Sequence, residues 1–176
     1  MSDDLIIISP EIEAGSGGLA DYTLRVVEQW RGIANIRFII PDGAGSTPRP
    51  DVTLIERSAE ALLAKLPLEG GKVLLQYSGY GFDHFGYPRW LLRALPTWRE
   101  RSGGSLVVML HEIWGFWPVL NKNYLVQQLH RRDVRELIAR ADSVFTSTAS
   151  QAEHLRALSP HARVDVLPVG TNILPS

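Results

Sequence analysis

The sequence predicts an α/β fold, a three-layer α/β/α domain around a mainly parallel sheet of about seven strands. The first observation is a series of short apolar runs rich in β-branched residues, at 5–8, 36–40, 52–55, 73–76, 106–110, 144–146 and 164–167. Several are continuous rather than alternating, as strands covered on both faces are. The second is the helical spacing between most of them. Leu19, Tyr22, Val26, Val27 and Trp30 share one helical face. Ala59, Leu62, Leu63 and Leu66 form another, and Val134, Leu137, Ile138 and Ala141 a third. Ser150 with Glu153 reads as a capping box that opens a helix through Leu158. Strands alternating with helices wind into a parallel sheet through right-handed crossovers.

A chain of 176 residues with 45% hydrophobic content suits one domain with a substantial core. A net charge of −1 argues against a nucleic-acid binder that works by bulk electrostatics. There is no cysteine, which excludes disulfides, thiolate metal sites and cysteine nucleophiles and fits a reducing compartment. The start MSDDLIII has no basic n-region, so no signal peptide is expected. No apolar run approaches the roughly 18 residues that span a bilayer. The expected location is cytoplasmic. The basic run LHRRDVRELIAR reads as a solvated helix face, the alternative being peripheral contact with an anionic membrane.

In a parallel sheet, ligands bind outside the carboxyl ends of the strands. Three distinctive loops fall there. The first, SPEIEAGSGGLADY, carries Gly15, Gly17 and Ala20 at G-x-G-x-x-A spacing, with Asp42 after the second strand. That spacing suggests a dinucleotide site, but Pro10 to Ala14 intervene where such a fingerprint turns tightly. A better reading is a glycine approach to a helix N-terminus, with the amides of Gly17 and Gly18 suited to an anion such as a diphosphate. The alternative is a plain loop before a helix.

The second loop, YSGYGFDHFGYP, spaces five aromatics with glycines around Asp83 and His84. Its rings, Tyr80 among them, suit either sugar stacking or packing over the sheet edge. The third, LVVMLHEIWGFWP, ends an apolar run in His111 and Glu112, followed by Trp114, Phe116 and Trp117. His111 is able to donate or accept a hydrogen bond near neutral pH; the alternative is a histidine satisfied by local backbone. The aromatics either wall an acceptor pocket or pack on a partner domain. No D-x-D, H-E-x-x-H or G-x-S-x-G occurs, so no metal is expected at the site.

The elements GSGGLADYTLRVVEQW, LVVMLHEIWG and ADSVFTSTASQAEHLRALSPHARVDVLPVGTNI resemble the amino-terminal half of GT-B glycosyltransferases, specifically the family 4-like (group 1) retaining group. Pro168, Gly170 and Asn172 match that family's domain-junction motif P-x-G-x-N/D. The resemblance covers essentially the whole chain. It implies a Rossmann-like acceptor-side domain over residues 1–168, the start of an interdomain linker at 169–176, and an active site in the cleft between two domains. It implies that Gly17 and Gly18 approach the diphosphate of a nucleotide-sugar donor and that His111, as the catalytic position, lies near the transferred sugar. Tyr80, His84, Glu112, Trp114 and Phe116 are then the expected contacts to a carbohydrate or lipid-linked acceptor. The family's E-x7-E donor motif is missing, since no two glutamates lie eight positions apart. The carboxyl-terminal donor-binding domain is therefore expected to be a separate part, and this chain alone to be inactive. Two other functions fit the residues: a non-catalytic sugar- or nucleotide-binding module, and an NAD-binding oxidoreductase domain. At a cleft rim, His111→Ala is expected to leave stability nearly unchanged.

Overall fold

A computed structural model describes residues 3–43, 49–112 and 124–168. The apolar runs form seven strands: β1 (Asp3–Ile8), β2 (Ala34–Pro41), β3 (Val52–Ile55), β4 (Lys72–Tyr77), β5 (Ser105–Leu110), β6 (Ser143–Thr146) and β7 (Val164–Val166). All pair in parallel, in the order β3-β2-β1-β4-β5-β6-β7. The winding direction reverses between β1 and β4, which makes that junction the topological switch point.

Right-handed crossovers put α1 (Gly18–Gln29) on one face and α2 (Ala59–Leu63), α4 (Arg89–Ser102), α5 (Tyr124–Arg140) and α6 (Ala149–Leu158) on the other. A one-turn helix, α3 (Gly79–Phe82), follows β4. Side-chain alternation splits the strands accordingly. Ile6, Ile8, Val73, Leu75, Leu106 and Val108 join the larger core beneath α2, α4, α5 and α6. Ile7, Phe38, Ile40 and Leu74 join the smaller core, against which Val27 and Trp30 of α1 pack.

Three sequence expectations are corrected. The fully buried positions of α1 are Ala20 and Thr23, while of the predicted stripe Val27 and Trp30 pack on the smaller core. Tyr22, Val26 and Trp30 wall an apolar groove of about 400 Å³ that runs over Leu74, Val107 and Phe145. Helix α6 starts at Ala149 with Thr148, not Ser150, as its cap: the Thr148 hydroxyl accepts from the Gln151 backbone N–H, while the Gln151 side chain accepts from the Thr146 and Ser147 hydroxyls. The third correction is an addition. The predicted elements omit α4, although Leu91, Leu92, Leu95 and Trp98 bury one face of it. Pro88 before it and Pro96 within it disguise the pattern, since an internal proline removes a helical hydrogen bond. Gly103, at φ 65°, ends α4 in the left-handed region that favours glycine.

Two polar clusters fasten the helices of the larger layer. Asp142 accepts from Arg99 Nη2 at 2.7 Å, Ser105 Oγ at 3.1 Å and Leu106 N at 2.8 Å, joining α4 to β5 and the start of β6. The Arg99 guanidinium holds this carboxyl below the usual carboxylate range. Beside α5, the Tyr77 hydroxyl lies 2.6 Å from His130 Nε2, while Asp133 accepts from the Tyr87 hydroxyl at 2.6 Å and from Arg93 Nε at 3.2 Å. His130 and Asp133 are both buried within the helix that carries the basic run. On its exposed side Arg140 pairs with Glu136 at 2.8 Å and with Glu100 at 3.4 Å, so this part of the run is a charge-balanced solvated face. No helix among the described residues is long and apolar enough to cross a membrane.

Burial lowers the His130 pKa to about 4, partly offset by the nearby charges of Asp133 and Asp83. The unfolded chain binds a proton below about pH 6.5, one that folded His130 refuses until about pH 4. Its contribution to stability is therefore full above pH 6.5 and falls as the pH drops toward 4. In urea titrations over that range, His130→Gln, which keeps a neutral partner for Tyr77, will show a shallower loss of stability than the parent. An unchanged slope would contradict a buried neutral imidazole.

Candidate functional site

The site is built where β5 runs out. Val107 and Met109 point to the α1 face, and the same alternation carries His111 there. The His111 amide donates to Tyr77 O at 3.0 Å, so the β4–β5 ladder continues one residue past the strand and fixes the backbone of His111. The ring is held by two further elements. Its Nε2 lies 2.6 Å from Gln76 Oε1 on β4, and Tyr22 of α1 meets it edge-on with centroids 5.1 Å apart. Burial lowers the His111 pKa to about 4, so the ring is neutral at physiological pH. Burial also raises the Tyr22 phenol above its ordinary value.

Tyr22 stands four residues into α1 from Gly18, roughly 6 Å along the helix axis. The expected helix start is found: Gly17 occupies the N-cap position, no side chain caps it, and α1 begins at Gly18. The first N–H groups of any helix lack intrahelical partners and form its positive pole. A Cβ at Gly18 would meet nothing within 4 Å, whereas one at Gly17 would lie 2.7 Å from Glu11 Oε1. Asp21 in the first turn accepts from Gly15 N at 2.9 Å. Two carboxylates thus already sit at this pole, and residues 9–21 contain no Lys or Arg. An anion placed here needs cations from outside the loop.

The aromatic loop divides in two. Tyr77 and Phe82 belong to the core and are unavailable as a sugar platform, which corrects half of the stacking expectation. Tyr80 is 63% exposed, with its ring over Gly86. His84 is exposed and packs edge-on against Phe85 at 5.2 Å. No hydrogen bond or ring contact among the described residues joins Tyr80 or His84 to His111. A Cβ at Gly81 would lie 2.7 Å from Pro10 Cβ, so the β1 and β4 loops touch at the switch point. Glu112 is exposed and accepts from Ser78 Oγ at 2.9 Å, which ties it to the end of β4. The other expected residues, Trp114, Phe116 and Trp117, lie outside the described residues, as do Gly170 and Asn172. Among the described residues no group of His, Asp or Glu is arranged to hold a metal ion.

Two members of the site escaped the sequence reading. Tyr22 was counted as helical core, and Gln76 as strand. The available signal was the glutamine itself, a polar residue inside the run KVLLQY.

No protein-family model matches this chain, and no curated protein matches its sequence. Among solved structures the chain is similar to a sucrose-phosphate synthase from Thermosynechococcus elongatus, with a TM-score of 0.64 and 16% identity over 97% of this chain and 49% of that one. The chain thus spans about half the length of that structure. At this identity the likeness is one of fold: a seven-stranded parallel α/β domain consistent with half of a GT-B fold.

The Gln76 hydrogen bond changes what is expected of one variant. His111→Ala leaves the buried Gln76 amide without this partner, a loss of about 1–3 kcal/mol. In a proton NMR titration, the His111 ring signal, assigned by its loss in that variant, will not move between pH 6 and 8 and will titrate near pH 4. A midpoint near the ordinary value of about 6.5 would show that the ring is open to water.

Proposed function

We propose that this chain is the acceptor-side, amino-terminal half of a retaining glycosyltransferase that moves a sugar from a nucleotide-sugar donor. The observation that carries this reading is the neutral His111, braced at the carboxyl end of β5 beside α1, within one half of a GT-B fold. A neutral imidazole flanked by an amide and a phenol is a hydrogen-bonding group. It suits a sugar hydroxyl whose contact strengthens as the glycosidic bond breaks.

In this reading Gly17 and Gly18 present amides to the donor diphosphate. Glu11 and Asp21 oppose that charge, so the compensating cations come from a second, carboxyl-terminal domain, which also holds most of the nucleotide. No metal is required. Tyr80, His84 and Glu112 line the acceptor side, with Trp114 and Phe116 as further members. The acceptor is a carbohydrate or a lipid-linked sugar rather than a nucleic acid. The work is cytoplasmic, with peripheral contact to a membrane where the acceptor is lipid-linked, and the half-enzyme alone is inactive.

Of the rival, a non-catalytic sugar- or nucleotide-binding module, the acidic glycine loop favours the sugar-binding form, which would need no phosphate neutralisation. An NAD-binding domain fits less well, because Ser9 to Gly17 separate β1 from α1 where a dinucleotide site turns tightly.

The test is glycosyl transfer by the complete native protein, followed by mass spectrometry with a panel of nucleotide-sugars. His111→Ala will lower transfer on the order of 10²-fold or more. Gly18→Val faces open space, so it will keep the fold and weaken donor use. Undiminished transfer in both variants would remove these residues from the site, and binding of nucleotide-sugar without any transfer would favour the module.

A further inference from the structure

Gln76 is the residue of the site that packing does not explain. It follows Val73, Leu74 and Leu75 on β4, it is 1% exposed, and it borders the apolar groove beneath α1. Burying a primary amide there costs free energy unless its polar atoms find partners. Its hydrogen bond among the described residues goes to His111 Nε2, at 2.6 Å from Oε1. An amide oxygen only accepts, so the imidazole nitrogen facing it must carry a proton. In a neutral ring the other nitrogen is then a bare acceptor.

We infer that Gln76 is a positioning residue that locks His111 in the Nε2–H tautomer, so that Nδ1 accepts a hydrogen bond and the ligand group it selects is a hydroxyl rather than a phosphate or carboxylate oxygen. The inference deepens the glycosyltransferase reading and rests on it for the nature of the ligand. The tautomer itself stands on geometry alone. Three elements enforce it. β4 supplies the acceptor, the β4–β5 ladder fixes the His111 backbone, and Tyr22 of α1 bars rotation of the ring from its edge. Among the described residues, the titratable groups placed beside His111 are Tyr22 and the adjacent Glu112, and Glu112 is engaged by Ser78. An anionic oxygen set against a bare imidazole nitrogen would bring two acceptors together with no proton between them. A sugar hydroxyl supplies that proton.

The test is nitrogen-15 NMR of the full chain labelled at histidine, near pH 7.5. The His111 ring will show a protonated Nε2 and an unprotonated Nδ1. Gln76→Leu removes the acceptor and will give a mixture of tautomers, while Gln76→Glu will keep the Nε2–H form and raise the ring's pKa. If Gln76→Leu does not fold, the parent and the glutamate variant decide. A protonated Nδ1 in the parent, or a single unchanged tautomer in a folded Gln76→Leu, would overturn the inference. In the complete enzyme, Gln76→Leu will lower transfer about tenfold, and combining it with His111→Ala will cost no more than His111→Ala alone. Additive losses would overturn the positioning role. If His111→Ala leaves transfer intact while the tautomer is as stated, the enzymatic reading fails and the Gln76 lock survives.

Discussion

Seven strands run in one direction, so each connection must carry the chain back along a face of the sheet before the next strand begins. That constraint governs both where the helices lie and where chemistry is able to gather. Crossovers take the chain outward from β1 to β3, and the return to β4 moves every later helix to the opposite face. The carboxyl ends of β1, β4 and β5 then open side by side at the switch point. Pro10 packs against Gly81 there, and Ser78 reaches Glu112. The site is a product of topology before it is a product of any side chain.

The two faces of the sheet do different work. The larger layer is fastened by buried and half-buried polar pairs: Tyr77 with His130, Tyr87 and Arg93 with Asp133, Arg99 with Asp142. Each pair joins elements distant in sequence. The α1 face is thinner. Among the described residues one helix, α1, covers part of it and borders the apolar groove along β4 and β5, at whose upper end Gln76 and Tyr22 hold His111. His111 is therefore held by the β4 backbone and by side chains of β4 and α1.

The strands were legible because covered parallel strands are written as unbroken apolar runs, such as LIII in β1 and VVML in β5. The helix start at Gly17 and Gly18 was legible for a local reason, a glycine pair before an amphipathic stretch. What stayed hidden was non-local or masked by special residues. Two prolines hid α4. The cap of α6 slipped by two residues because Thr148 and Ser150 offer the same hydroxyl chemistry, and only the backbone decides between them. In the site, His111 stood out as a polar residue ending a hydrophobic run, but its partners did not. Gln76 lies 35 positions away in sequence and becomes a neighbour only through the β4–β5 register. Glu11 lies near Gly17 in sequence, yet its carboxylate's place at the helix pole depends on how the loop folds back.

That acidic pole is the feature that most constrains the chemistry. A diphosphate beside Glu11 and Asp21 would need positive charge that residues 9–21 do not contain, so in the proposed function the compensating cations come from a second domain. The most direct measurement is a crystal structure of the complete protein with a nucleotide-sugar bound. The account predicts a sugar hydroxyl within about 2.6–3.2 Å of His111 Nδ1, with the diphosphate facing the amides of Gly17 and Gly18 and its charge met by basic residues of the second domain. A phosphate oxygen against His111, or a nucleotide-sugar bound away from the ends of β4 and β5, would contradict it.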